Sequence, residues 1–156
     1  MPITPETLIR APELPIDEAT AEIVDEFAFF DDWMDRYQHI IELGRTLDDL
    51  PQDWKVEENK LQGCQSQVWL VGRWVDGRLH MAAISDAAIV SGLIAIVMRI
   101  YNHRTAEEIK ATPPGFIAAI GLDSHLSPTR SNGLNAMLKA VFAMAETQAG
   151  RGAIAA

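Results

Sequence analysis

Cysteine is almost absent from this sequence, which has one, Cys64, in 156 residues. A single thiol excludes an internal disulfide, and it excludes zinc or iron–sulfur sites that need several thiolates from one chain. His39, His80 and His103 show no spacing typical of metal ligands, so we expect no bound metal. We also expect no cofactor of the protein's own.

Long apolar runs are also missing. No stretch of about 18 apolar residues occurs, so we expect no membrane span. The first fifteen residues lack the basic and apolar regions of a signal peptide. A free thiol suits a reducing compartment, and the sequence therefore predicts a cytoplasmic protein.

Basic residues are scarce: 13 Lys and Arg stand against 22 Asp and Glu, for a net charge of −9. This balance argues against nucleic-acid binding, which requires basic surface to neutralise phosphates. The acid is concentrated in residues 1–60, which hold 16 acidic and 5 basic side chains. Two interpretations stay open, namely solvated helix faces that keep the protein soluble, and an acidic surface that steers it to a basic partner.

The pattern of apolar residues predicts one domain over residues 17–150, preceded by a flexible proline-rich arm (1–16) and followed by a flexible tail (151–156). Apolar positions at helical spacing and capping signals predict helices. These are 17–30 with Asp17 as N-cap, 31–47, a buried central helix over 85–104 capped by Ser85 or Asp86, a short one with a Thr105–Glu108 capping box, a turn at 116–122, and a last one from Ser127-Pro128 to Gly150.

Two alternating apolar runs flank Asp76-Gly77, a pair typical of a two-residue hairpin turn. Such a turn pairs Val75 with Arg78, so that one hairpin face is apolar and the other is solvated near the turn. The apolar face would hold Val68, Leu70, Trp74, Leu79, Met81 and Ala83, and the solvated face Arg73, Arg78 and His80. Residues 59–62 are a candidate third strand. Helices grouped around a small antiparallel sheet of two to three strands predict an α+β fold.

Cys64 lies in "KLQGCQSQVWL", on a polar shoulder just before the first strand. Three interpretations stay open from the residues alone. The thiol could be a small buried core residue, a hydrolase nucleophile with His125 as its base, or a carrier that takes a group from another protein. The polar neighbours Gln65 and Ser66 argue against the core, and Gly63 gives the backbone the freedom that a carrier needs.

The segment "LQGCQSQVW" resembles the signature of the SufE family, the sulfur acceptors of iron–sulfur cluster assembly. The stretches "RYQHIIELGRTL", "SDAAIVSGLIAIV" and "HLSPTRSNGLNAM" resemble further family segments in the same order, from about Asp32 to Met144. The resemblance implies a fold similar to that of the IscU scaffold. IscU-like scaffolds hold several metal-binding cysteines, whereas this chain has one.

The resemblance also implies a function. A cysteine desulfurase of the SufS or CsdA type, which uses pyridoxal phosphate, would pass persulfide sulfur to Cys64 and be stimulated by it. The sulfur would then go to a downstream iron–sulfur scaffold. Residues Gly63, Gln65, Ser66, Asp86, His125 and Arg130 would shape the cysteine loop or contact the partner. The alternative is an adaptor that regulates an iron–sulfur assembly complex without carrying sulfur.

Overall fold

The computed structural model describes residues 14–62 and 66–151, of which residues 148–151 are described by their backbone alone. Seven α-helices, two short 3₁₀ helices (Gln52–Trp54 and Glu57–Asn59) and three strands occur in this part of the chain. The α-helices and strands are numbered in chain order. They are α1 (Ile16–Ala28), α2 (Trp33–Gly44), β1 (Val68–Val75), β2 (Arg78–Ser85), α3 (Ala88–Tyr101), β3 (Arg104–Thr105), α4 (Ala106–Lys110), α5 (Phe116–Ile120), α6 (Leu122–His125) and α7 (Pro128–Arg151). The fold is α+β, as predicted.

The first two helices pack their apolar stripes inward, although their ends differ from the expected ones. Pro15, and not Asp17, precedes the first helical residue of α1. Proline fits there because its fixed φ suits a helix entry and its missing N–H would have no partner in the first turn. In α2 the Asp32 side chain accepts a hydrogen bond from the Asp35 N–H at 2.9 Å, which fixes the start of the helix.

The hairpin has the predicted register. Val75 pairs with Arg78, and the ladder continues to Val68 opposite Ser85. Asp76 and Gly77 both have positive φ, 52° and 79°, which a two-residue hairpin turn of the primed type requires. The predicted apolar face is the inner one, on which Trp74 is half-buried and the other five residues are buried.

The prediction of a solvated outer face near the turn is wrong for His80, which is only 3 % exposed. The chain returns to β2 through His103, whose ring lies 4.7 Å from that of His80, and β3 then pairs with β2 through Arg104 and Leu79. Farther along the same face, Ala82 is buried in a small cluster with Leu50, Trp54, Trp69 and Ile84.

The central helix α3 is buried nearly all round, as its composition predicted. It crosses α2 at glycines. A Cβ at Gly44 would lie 2.7 Å from the backbone nitrogen of Gly92, and a Cβ at Gly92 would overlap the Ile40 carbonyl oxygen. The two backbones therefore touch, which fixes the position of α3 within the core.

The C-terminal part of the chain follows the predicted signals with one exception. Thr105 and Glu108 form the reciprocal capping box of α4. Ser127 accepts a hydrogen bond from the Arg130 N–H at 3.3 Å, at the entry of α7. The helix continues to Arg151, past the glycine that was expected to end it. It packs into the core with Leu134, Met137, Leu138 and Val141, which are buried, and Met144, which is half-buried.

Candidate functional site

The loop that contains Cys64 is described at both of its shoulders. Gly63, Cys64 and Gln65 themselves lie outside the described residues. The Leu61 N–H donates to the Val68 carbonyl oxygen at 2.9 Å, and an antiparallel bridge joins Lys60 to Trp69. The predicted third strand at 59–62 is thus reduced to one bridge. These contacts join the two sides of the loop at its base. We call the pairing of Lys60 and Leu61 with Val68 and Trp69 the closed stem.

Asp86 holds the second shoulder of the loop. Its Oδ1 accepts from the Gln67 N–H at 3.0 Å, and its own N–H donates to the Gln67 carbonyl oxygen at 3.3 Å. The expectation that Ser85 or Asp86 caps α3 is wrong, because the residue at the helix N-cap is Ala87 and no side chain caps it. Asp86 instead pairs with Gln67, and this pairing extends the hairpin by one step beyond Val68 and Ser85.

Ser66 and Arg130 line the same cleft, of about 460 Å³. One wall is the first turn of α3, and the other is the first turn of α7. The remaining lining residues are Ala87, Ala88, Ile89, Val90, Ser127 and Thr129. The structure therefore brings together three of the predicted site residues, since Asp86 immediately precedes the α3 wall.

The charges of this cleft favour an anion. Among the described residues that line it, Arg130, which is half-buried, is the one charged residue, and the nearby Asp86 carboxylate is engaged by the Gln67 N–H. The N-termini of α3 and α7 both belong to the wall, and the aligned peptide dipoles of each helix place a partial positive charge there. A cysteine placed in such surroundings is stabilised as the thiolate, which is the nucleophilic form.

An apolar crevice lies beside the cleft and shares Val90 with it. Its other lining residues come from β1, α3 and α7: Val68, Leu93, Ile94, Gly133, Leu134 and Met137. The crevice has no room for a water-sized sphere. Val68 lines this crevice and Ser66 lines the cleft, so the described second shoulder of the loop lies between the two.

His125 is placed elsewhere. Its ring stacks on Trp33 with centroids 4.0 Å apart, and its Nδ1 lies 2.9 Å from the Gly121 carbonyl oxygen. The Tyr37 hydroxyl donates to the His125 carbonyl oxygen. Ser127, not His125, caps the entry to α7. His125 thus joins α2 to α6, and it is not among the residues that line the cleft.

The contact between Gln67 and Asp86 was not predicted, although the sequence contained the signal for it. In the register that the Asp76-Gly77 turn fixes, Gln67 lies opposite Asp86, one step beyond Val68 and Ser85. The crevice had no such local signal, because its lining comes from three elements that are distant in the chain.

Two other classes of site are absent from the described ranges, 14–62 and 66–151. No group of three histidine, aspartate or glutamate side chains there could hold a metal ion. No described helix is long and apolar enough to cross a bilayer.

Comparisons with known proteins agree with this architecture. Residues 21–145 match the family described as "SufE: Fe-S metabolism associated domain". An uncharacterized SufE-like protein of Rhizobium meliloti (strain 1021) is 45% identical over 130 residues, which cover 80% of this chain and 93% of the relative. Another from Rhizobium etli is 44% identical over 133 residues, covering 82% and 90% of the two chains.

The fold is also found in a solved structure. The solution structure of a hypothetical protein from Thermus thermophilus superposes with a TM-score of 0.69, covering 90% of this chain and 99% of the other, at 18% identity. That identity supports the fold alone. The family match and the two rhizobial relatives identify the chain: it belongs to the SufE family and has a role in iron–sulfur metabolism.

Proposed function

We propose that the protein takes sulfane sulfur from the persulfide of a cysteine desulfurase onto Cys64, stimulates that desulfurase, and passes the sulfur to an iron–sulfur scaffold in the cytoplasm. The desulfurase, of the SufS or CsdA type, would bring the pyridoxal phosphate. One observation carries the proposal: the described shoulders of the loop with the chain's single thiol lie beside a cleft whose lining includes one guanidinium and two helix N-termini, while the nearby Asp86 carboxylate is hydrogen-bonded to the loop.

The chemistry is an exchange at sulfur. The Cys64 thiolate attacks the terminal sulfur of the donor persulfide, a new S–S bond forms, and the bond to the donor cysteine breaks. The donor leaves as a thiolate and takes up the proton that the Cys64 thiol lost. No external oxidant or reductant is needed, and the rate depends on the thiolate fraction, the leaving-group pKa and access.

The residues around the loop would have three different roles, namely stabilising the anion, positioning the loop and presenting the thiol. Arg130 and the two helix N-termini favour the anionic forms, first the thiolate and then the persulfide. Ser66 and Gln67 form the shoulder that Asp86 holds against the start of α3. Gly63 and Gln65 flank the nucleophile in sequence, and we propose that they let the loop present it to the donor.

The apolar crevice supports a second part of the proposal. A persulfide is easily lost to reductants and oxidants, so a carrier benefits from a dry wall beside the loaded thiol. The wall of Val68, Val90 and Gly133 lies next to the shoulder of the loop. We therefore propose two loop arrangements, one against this wall and one extended into the donor.

Intact-mass spectrometry tests the transfer directly. The protein is incubated with a desulfurase, pyridoxal phosphate and cysteine, and a persulfide adds about 32 Da. We expect this addition on the wild type, and peptide mapping should assign it to Cys64. The Cys64→Ser variant should gain no sulfur and should fail to stimulate sulfide release.

A variant with the thiol moved is the matched control. Cys64→Ser/Thr147→Cys keeps one thiol per chain but places it near the far end of α7, about 28 Å along the helix from Pro128. Thr147 is exposed, so a thiol there is accessible. Equal sulfur loading of this variant would contradict a dedicated acceptor site, and full stimulation by Cys64→Ser would favour the adaptor.

A further inference from the structure

A second surface lies at the opposite end of α3 from the thiol loop. It is a groove of about 720 Å³ between α1, the turn after it, and α2. Its lining along α1 contains the stripe Glu18, Glu22, Asp25 and Phe29, at spacings of four, three and four residues, and also Ala21 and Glu26. Side chains at these spacings share one helix face, so three carboxylates and an aromatic ring present themselves in a row.

The apolar part of this groove is unusually open to solvent. Phe29, which lines the groove, is 81 % exposed. Phe30, whose ring lies 5.4 Å from that of Phe29, continues the groove. Clustered large apolar side chains rimmed by polar ones are typical of surfaces that bind other proteins.

The groove already binds one cation from its own chain. Arg99 reaches over from α3 and donates to Glu22 at 2.6 Å and to Glu26 at 3.0 Å. Glu18 and Asp25, on the same stripe, are exposed and have no ion pair within the described residues. The carboxylates of Glu18 and Asp25 thus remain for an external cation. They lie before and after Glu22 on the stripe, and Glu22 already binds the Arg99 guanidinium.

We propose that this groove docks a basic amphipathic helix of a partner protein. Lysine or arginine side chains on that helix would pair with Glu18 and Asp25, and an apolar side chain would pack on Phe29. The carboxylates would repel the phosphates of a nucleic acid or an anionic membrane, which leaves a cationic protein segment as the complementary occupant. The surface is separate from the thiol loop, so the inference does not rest on sulfur transfer.

Calorimetric titration with a synthetic helical peptide tests the proposal. The probe is an alanine-rich peptide of about 18 residues with lysines at positions i, i+4 and i+7 and leucine at i+11, a length at which such helices form. We expect it to bind the wild type at about 0.1 M salt, where surface charges are still felt over about 10 Å. The same peptide with glutamate for lysine should not bind.

Three variants locate the binding. Glu18→Gln/Asp25→Asn and Phe29→Ala should each weaken the lysine peptide about tenfold. Asp48→Asn/Asp53→Asn is the matched control, because it removes two exposed carboxylates outside the groove, and it should change affinity less than twofold. Thermal unfolding of each variant establishes that the fold is kept, which the exposure of all five side chains favours.

Several outcomes would overturn the proposal. Failure of the wild type to bind the lysine peptide would do so. An equal loss of affinity for the lysine peptide in the control variant would show that the peptide is attracted by the net charge of the protein and not by the groove. An unaltered affinity in Phe29→Ala would exclude docking in the groove, and a change of sedimentation in the Phe29 variant alone would make this face an interface between two copies of the chain.

Discussion

The two ends of α3 carry surfaces of opposite character. Its first turn lines the cleft of Ser66 and Arg130, whose edge holds the Asp86 carboxylate in a hydrogen bond to Gln67, whereas its last turn sends Arg99 into a row of carboxylates on α1. Hydrogen bonds between Gln67 and Asp86 organise the first end, and ion pairs of Arg99 organise the second. One buried helix of 14 residues, about 20 Å long, thus supports two surfaces whose lining side chains differ in charge. The following predictions test whether the two ends act independently.

The largest effect is expected where α2 crosses α3, between the two ends. Gly92→Ala should lower the free energy of unfolding by about 3 kcal/mol or more, because its Cβ would overlap backbone that cannot move away alone. Urea denaturation measures the change. Both surfaces should be disturbed together, and a variant as stable as the wild type would show that α2 and α3 can separate at no cost.

Asp86→Ala should affect the thiol end alone. It removes the acceptor for the Gln67 N–H, and one such hydrogen bond contributes about 1 kcal/mol, which corresponds to roughly fivefold in an equilibrium. If the loop must leave the protein surface to accept sulfur, we expect a several-fold faster initial rate of sulfur loading. Amide exchange at Gln67 should rise in parallel.

Asp86→Asn supplies the control for that prediction, because its side-chain oxygen can still accept the Gln67 N–H. It should behave as the wild type in both measurements. Faster exchange at Gln67 with no change in loading would contradict the idea that this contact restrains sulfur transfer. Binding of the lysine peptide to the groove should be the same in both variants.

Glu26→Gln should affect the acidic end of α3, and its effect should appear in the pH dependence of the free energy of unfolding. The pKa of Glu26 lies below its ordinary value of 4.5, chiefly because Arg99 donates a hydrogen bond to its carboxylate, while burial opposes the shift. The folded state therefore binds this proton less readily than the unfolded state. The stabilisation is complete above pH 4.5 and is lost as the pH falls through the lower folded pKa.

We therefore expect the variant to lose stability at neutral pH, by less than about 1 kcal/mol since the pair is partly exposed. Below pH 4.5 its unfolding free energy should fall less steeply than that of the wild type. Glu58→Gln, an exposed residue with no ion pair among those described, is the control and should leave the acid slope unchanged. Identical slopes in all three proteins would contradict the assignment.

The smallest effect is a gain. Gly133→Ala in α7 places a Cβ 4.0 Å from Val90, an ordinary van der Waals contact. Because alanine favours a helix more than glycine does, the free energy of unfolding should rise by about 0.5–1 kcal/mol. The same substitution thus has opposite signs at Gly92 and Gly133. Thermal unfolding of the two variants measures this difference. A loss of stability in Gly133→Ala would mean that the crevice is packed more tightly than the 4.0 Å distance to Val90 implies.

The hairpin shows how much the sequence alone could predict. Asp76-Gly77 determined the turn, the turn determined the register, and the register determined the inner face. The burial of α3 and the capping box of α4 followed from equally local patterns. At the site, the single thiol and its family resemblance pointed to one region, and Ser66, Asp86 and Arg130 lie at its edges.

The failures at His80 and His125 share a cause, which is contact between residues far apart in the chain. His80 was placed in solvent because nothing near it predicts the return of His103 and β3 to its strand. His125 was considered as a base for the thiol or as a residue near the cysteine loop, whereas its ring stacks on Trp33, more than ninety positions earlier. Local patterns specify hydrogen-bonded elements, but the side that each element presents to another depends on the assembled core.

The closed stem below the nucleophile sets a limit on any donor. The pairing of Leu61 with Val68 leaves three residue steps to Cys64 on one side and four on the other. A fully stretched chain covers about 3.3–3.6 Å per residue, so while that stem stays closed the α-carbon of Cys64 cannot rise more than about 11 Å above it. A donor sulfur buried deeper than this, plus the length of one cysteine side chain, would be out of range.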